Sequence, residues 1–292
     1  MKEMKEFNIL KYKSIFWEPN IIKYPASWVE HIPFAFFLIE ILKPSLYVEL
    51  GTHSGNSYNA FCQAIKTIGV GTKCYAVDKW EGDDHAGFYS DDIYSELYEY
   101  QDKNYRTFSQ LMRMSFDDAF PYFDDGSIDL LHIDGLHTYE AVKHDFETWL
   151  SKLSNKGVII FHDTAVRRDD FGVWKLWEEL STKYPSYNFN HGYGLGILAV
   201  GTDVPQEFIE FLESINNDVN IDALFCRLGS YIFCKNSKEN YQNQFEKVRR
   251  EINTIKSSIG WKMGNKMVDV LRFFIPKNSF RERILKRLFY KN

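Results

Sequence analysis

The chain has 292 residues, of which 45% are apolar, and its 24 Phe, 18 Tyr and 7 Trp can fill a sizeable core, in one large α/β domain with an appendage or in two domains. Its net charge of −5 is unevenly spread: from Glu246 to Asn292 there are 13 Lys and Arg against 4 Asp and Glu, a net +9, leaving 22 against 36, or −14, for the rest. An acidic body with a basic tail excludes a nucleic-acid-binding surface spread over the whole chain and gives the tail a job of its own.

Residues 1–27 are mixed and aromatic, with Pro19 and Pro25 breaking any long helix, and read as a lid or packing arm. Trp28 to Leu42 (WVEHIPFAFFLIEIL) predicts an apolar helix that ends before Pro44. LYVELG is a short buried strand, Gly51 to Gly55 a turn, Ser57 to Ile68 a helix, and CYAVD the second strand. A long acidic loop, Trp80 to Asp92, leads to a helix over Ile93 to Phe108 with Tyr94, Leu97, Tyr98, Tyr105 and Phe108 inward. Leu111 to Met114 is a weak third strand, Asp117 to Phe123 a short helix, SIDLLHID strand four and GVIIFHD strand five. Between the last two, Tyr139, Val142, Phe146, Trp149, Leu150 and Leu153 keep helical spacing, which makes strand, crossover helix, strand. Phe171 to Tyr184 is a further helix with Trp174, Leu176, Trp177 and Leu180 inward, and Tyr187 to Gly201 a terminal antiparallel hairpin. After Val204 the pattern is purely helical. The expected fold is α/β: a doubly wound, mostly parallel, seven-stranded Rossmann-like sheet over residues 28–202, a helical extension over 203–240 and a basic amphipathic tail over 241–292.

The four cysteines show no CxxC pairing and sit in apolar settings, as reduced thiols do. The N-terminus is charged and lacks the apolar core of a signal peptide, and no run is long and apolar enough to span a bilayer, so a cytoplasmic location is expected.

Two groups of residues carry chemistry. The first is LYVELGTHSGNSYNAF, a strand, glycine turn and helix, followed 27 residues after Gly51 by Asp78 at the end of the next strand, where a carboxylate can accept both hydroxyls of a ribose. Glu49 at the end of the first strand opposes a pyrophosphate, and His53 replaces the middle glycine of GxGxxG. A ligand with an ammonium and a sulfonium suits that carboxylate, so S-adenosylmethionine fits and a dinucleotide fits poorly. Trp80 is placed to cover the ribose or the substrate, and the Met114–Ser115 turn to flank the adenine. The second group is Asp134, His137, His162 and Asp163, which the crossover gathers at one mouth as a metal and proton-transfer site. His132 and His191 read as packing and hairpin-turn residues.

VELGTHSGNS resembles the ExGxxxGxS signature of class I methyltransferases, in particular the metal-dependent small-molecule O-methyltransferases. HIDGLHTYEAVKHDFETW together with KGVIIFHD closely resembles the methyltransferase family, methyltransferase family 24-like, that includes macrolide-sugar O-methyltransferases and cephalosporin-hydroxylase-like proteins. The resemblance covers roughly residues 28–202. It implies S-adenosylmethionine held by Glu49, Gly51, Gly55, Ser57, Asp78, Trp80 and Ser115, a divalent cation such as Mg²⁺ on Asp134, His162 and Asp163, and His137 as general base with Asp134 beside it. The macrolide-sugar enzymes carry two acids where this chain has His162 and Asp163, and a histidine there admits softer cations.

In the tail, Phe245, Val248, Ile252, Ile255 and Ile259 form a short coiled-coil-like stripe, and apolar residues from Trp261 to Leu288 alternate with Lys and Arg. Such segments lie on anionic membrane surfaces or dock on a partner, a second subunit or their own domain. SSIGWKMGNKMVDVLRF loosely resembles a segment at the ends of bacterial surface-polysaccharide glycosyltransferases and methyltransferases, with Lys262 in place of an arginine. The expected function is O-methylation of a sugar hydroxyl of a cell-surface glycan or its precursor. The tail would serve a peripheral membrane or glycan-assembly role, and a homo-oligomer is compatible. Two alternatives stay open: a non-catalytic binding module on the same fold, and a metal-dependent hydroxylase-like enzyme.

Overall fold

The computed structural model describes residues 7–83, 85, 87, 88, 90–257 and 266. Residues divide into two compact units, Met1–Cys234 and Lys235–Asn292. The first is built on seven strands: β1 (Leu46–Leu50), β2 (Lys73–Asp78), β3 (Ser109–Arg113), β4 (Ile128–Ile133), β5 (Leu153–His162), β6 (Ser186–Phe189) and β7 (Leu195–Ala199). Their order across the sheet is 3-2-1-4-5-7-6; β1 to β5 run parallel, and β7 lies antiparallel between β5 and β6. This is the expected doubly wound α/β sheet with its hairpin at one edge.

The helices are α1 (Ile32–Leu42), α2 (Asn56–Ile68), α3 (Asp92–Tyr105), α4 (Phe116–Ala119), α5 (Tyr139–Trp149), α6 (Val173–Leu180), α7 (Gln206–Asn217) and α8 (Val219–Ser257). Each boundary has a local cause. A left-handed Lys43 ahead of Pro44 stops α1. Left-handed glycines, Gly55 and Gly69, bracket α2, and the Thr138 hydroxyl caps α5 by accepting from Ala141 N. The sheet faces divide the core. Tyr47, Leu130 and Ile160 pack with α1, α2 and α7 on one side; Val48, Leu131 and Ile159 pack with α5 and α6 on the other. The N-terminal stretch packs on α1, with Tyr12 set edge-on to Phe37 at 4.8 Å. Phe225 of α8 joins the same core against Phe34.

Several expected elements shift. The crossover helix ends at Trp149, and Leu153 opens β5, because a 3-10 turn at Leu150–Lys152 unwinds the helix first. Helix α3 buries Leu97 and Tyr105 but leaves Tyr98 half exposed on its outer side. The acidic loop after β2 contains a two-stranded ribbon, Gly82–Asp83 with Gly87–Phe88. In α8 the stripe residues Phe245, Val248 and Ile252 are exposed, whereas Ile259 and the tail residues Trp261 to Leu288 named above lie outside the described residues. Among the described residues no helix is long and apolar enough to cross a membrane.

Candidate active site at the carboxyl edge of the sheet

Strand register places the site. Leu50 pairs with both Val77 and Ile133, and Ile133 with Phe161, so the next residues on four strands, Asp78, Gly51, Asp134 and His162, form one row along the carboxyl edge. The order reverses between β1 and β4, where open α/β sheets bind ligands. Gly51 makes the row closable. It has φ +86°, and a Cβ there would lie 2.0 Å from the Asp134 carbonyl oxygen. A cavity of about 610 Å³ opens over the row, in the range of small-molecule sites.

At its β1–β2 end, Asp78 Oδ2 accepts from Thr52 N (2.8 Å) and His53 N (2.9 Å), and its Oδ1 accepts from Trp80 N (2.7 Å). Asp78 therefore pins the glycine turn and still lines the cavity with Gly51, Thr52, Ser57 and Ser115. Among the described residues the Thr52 hydroxyl, buried there, has no partner. Ser115 also caps α4 by accepting from Asp118 N.

Three residues expected at the cofactor do not reach the cavity wall. Glu49 is fully buried on the Tyr47 face of β1, where strand alternation puts it; its carboxylate accepts from the Tyr47 hydroxyl and faces His132 Nδ1 at 2.9 Å. Its other oxygen has no partner among the described residues. Trp80, left-handed at φ 55°, turns its ring onto Tyr94 (4.9 Å) and donates from Nε1 to the His53 carbonyl. Gly55 is the N-cap of α2 and packs against Leu97.

At the β4–β5 end the four expected residues come together. His137 Nε2 lies 3.0 Å from Asp163 Oδ2 and 3.5 Å from Asp134 Oδ1. His162 Nδ1 lies 3.4 Å from Asp134 Oδ1 and 3.5 Å from Asp163 Oδ2. One donor atom each from Asp134, His162 and Asp163 fall within 4.8 Å of one another. Nε2 of His162 donates to the Gly192 carbonyl at 3.1 Å, which fixes its tautomer and leaves Nδ1 facing the carboxylates. Two carboxylates and an oriented imidazole fit a divalent cation. Asp163 holds its place from a left-handed φ of 61°, the sort of local strain that collects at functional sites.

Charge within the cluster is tightly coupled. Burial alone would raise Asp134 and Asp163; the His162 charge and hydrogen bonds from His137 and His162 outweigh it, holding Asp134 well below the carboxylate range and bringing Asp163 to about 2. Burial likewise works against protonation of His137, yet its hydrogen bonds to the same two carboxylates push it up to about 9. A histidine expected near neutrality thus holds its proton beside these two carboxylates.

Chain distant in sequence braces His137. Gly172 N donates to the His137 carbonyl at 2.7 Å, and Phe171 stacks on its ring at 4.8 Å and 3°. The ribbon loop reaches the same place, where His85 stacks on Phe171 at 4.6 Å and pairs with Asp170 at 2.6 Å. Sequence reasoning missed His85, Phe171 and Asp145. For Asp145 a signal existed: it sits on the buried stripe of α5 with Val142, Phe146 and Trp149.

Gly192 is a testable support. It has φ +55°, and a Cβ would lie 2.8 Å from His31 Nε2, which shares the Gly192 carbonyl with His162. Gly192→Ala is expected to swing that carbonyl away and weaken Mn²⁺ binding roughly tenfold or more. Titration calorimetry measures this, and unchanged affinity would remove the carbonyl from a supporting role.

The strand order and edge site define a Rossmann-like fold of the open, switch-point type. Residues 48–164 match the family model described as a methyltransferase domain. An uncharacterized protein of Sinorhizobium fredii, y4gI, is 45% identical over 189 residues, 65% of this chain; the match spans 21% of that relative's length. Among solved structures, the O-methyltransferase TomG from Streptomyces achromogenes, in complex with SAM, is similar at 12% identity over 69% of this chain and 100% of its own, with TM-score 0.45. A putative caffeoyl-CoA O-methyltransferase from Staphylococcus aureus is similar at 14% identity over 61% and 83%, with TM-score 0.46.

Proposed function

We propose that the chain is an S-adenosylmethionine-dependent O-methyltransferase, assisted by a divalent cation, that methylates a sugar hydroxyl of a cell-surface glycan or its precursor. The observation that carries this is the single row in which the glycine turn and Asp78 stand next to the Asp134–His137–His162–Asp163 cluster. A methyl donor held at the first faces an acceptor hydroxyl held at the second. S-adenosylmethionine, held by the glycine turn and Asp78, would supply the methyl group to the acceptor oxygen and would leave as the neutral thioether. In its neutral form His137 would take the hydroxyl proton at Nε2, the atom aimed at the two carboxylates. A divalent cation on Asp134, His162 and Asp163 would neutralise the charges that hold a proton on His137 and would lower the pKa of a hydroxyl beside it. The rest of the chain's work is alignment and exclusion of water, through the Phe171 and His85 rings and the His85–Asp170 contact.

The sugar acceptor is supported by the HIDGLHTYEAVKHDFETW resemblance, and a role at a membrane-bound glycan assembly by the basic tail. Calorimetry with S-adenosylhomocysteine and with Mn²⁺ tests the reading. Affinity on the order of micromolar for the nucleoside is expected, weakened at least tenfold in Asp78→Ala. Asp134→Asn is expected to abolish Mn²⁺ binding while sparing the nucleoside. Absence of nucleoside binding by the wild-type protein would overturn the methyltransferase reading in favour of a binding module.

A further inference from the structure

The chemistry above makes no use of the apolar stripe near the end of α8, which belongs to the second compact unit. Tyr241, Phe245, Val248 and Ile252 follow one another at spacings of four, three and four, and each is between 45% and 71% exposed. Large apolar side chains set in one line along a helix and left in water mark a surface that another body covers. In the sequence, Ile255 and Ile259 carry the same alternation on, so six consecutive core positions of a heptad, d-a-d-a-d-a, are apolar. The period says what kind of cover fits. A helix that docks on a globular body carries a broad apolar face, and so does one that lies on a membrane. From Tyr241 to Ile255 only the two heptad core positions are apolar; everything between them is Gln, Asn, Glu, Lys, Arg or Thr. A seam that narrow, repeating every 3.5 residues, fits a helix that supercoils around it.

The charges beside the seam say which helix. Its e positions are Gln242, Arg249 and Lys256, and its g positions Gln244 and Glu251. Between parallel copies each g faces the e position of the following heptad, which sets Gln244 against Arg249 and Glu251 against Lys256. Between antiparallel copies e would face e, basic against basic. The seam thus complements itself when laid parallel and in register. We propose that α8 joins identical chains into a parallel coiled coil through the Tyr241–Ile259 seam. This goes beyond the methyltransferase reading and holds whether or not that reading does.

Sedimentation equilibrium of the full chain over a dilution series is the test. Wild type is expected to show a mass that is a whole multiple of 34.5 kDa and falls towards that value on dilution. Val248→Glu combined with Ile252→Glu puts two charges into the seam at exposed helical positions and is expected to weaken association by roughly tenfold or more. Arg250→Glu, on the outer face of the heptad, is expected to leave association within about twofold. Circular dichroism checks that the double variant still folds. A second arm reads direction: with Tyr241→Cys in a Cys234→Ser chain, mild oxidation is expected to link copies to each other at position 241, as only a parallel, in-register seam allows. A wild-type protein that stays monomeric at about 100 μM, or association that survives the folded double variant, would overturn the proposal. Association without the link at position 241 would overturn the parallel arrangement. A monomer that binds anionic vesicles, and loses them in the double variant, would replace self-association with a membrane surface.

Discussion

His137→Gln is expected to lower kcat for methyl transfer by about 10²–10⁴-fold while leaving S-adenosylhomocysteine affinity within about twofold. The imidazole Nε2 is the basic atom that meets both Asp134 and Asp163, and glutamine keeps comparable bulk beside Phe171 without a nitrogen able to take a proton. The backbone brace from Gly172 N to the residue 137 carbonyl is untouched by the substitution, so the loop should hold its course. Release of S-adenosylhomocysteine in single-turnover reactions separates the two effects. If the variant turned over within a few-fold of wild type, the proton would have to go elsewhere and His137 would be a positioning residue.

The second large effect is on stability. Gly51→Ala is expected to cost roughly 3 kcal/mol or more, combining a left-handed backbone with forced overpacking. The Cβ would sit 2.0 Å from the Asp134 carbonyl oxygen and 2.6 Å from its carbon, both backbone atoms at the carboxyl ends of two adjacent parallel strands that cannot yield cheaply. For a unit of this size that corresponds to a fall in Tm of roughly 6–12 °C. Gly69 provides the control, because it has a similar φ of +78° but nothing within 4 Å of an added Cβ. Its alanine variant carries the backbone strain alone, about 1–2 kcal/mol. Equal Tm losses in the two variants would show that the contact with Asp134 does not matter.

Much of this arrangement could be read from the chain itself. Short apolar runs that end in Asp78, Asp134 and Asp163 announce parallel strands, and their acids fall on one edge because every crossover returns the chain in the same direction. Glu49 was legible too, had alternation been weighed: it shares a face with Tyr47, two residues before it, and so turns into the core. Asp145 escaped because a single polar residue on an apolar stripe looks like noise until its surroundings are known. The His85, Asp170 and Phe171 contacts had no local signature. They depend on a ribbon loop and a post-strand loop meeting over His137, a contact between stretches about 85 residues apart in the chain. Trp80 was misplaced for a related reason, since the left-handed turn that rotates it onto Tyr94 leaves no mark in composition.

The touching of Gly51 and the Asp134 backbone has a consequence for how such an enzyme can change. The glycine turn and the Asp134 strand end meet at main-chain atoms, so neither can drift without the other, and that row is fixed by main-chain atoms more than by side chains. The opposite wall of the cavity is different: it comes from Gly82 and His85 of the ribbon loop and from the loop ahead of α6, where Arg168 and Phe171 face the cavity. Grafting those two loops between relatives should transplant acceptor preference while donor use stays constant, making the fold a fixed chuck with an exchangeable jaw.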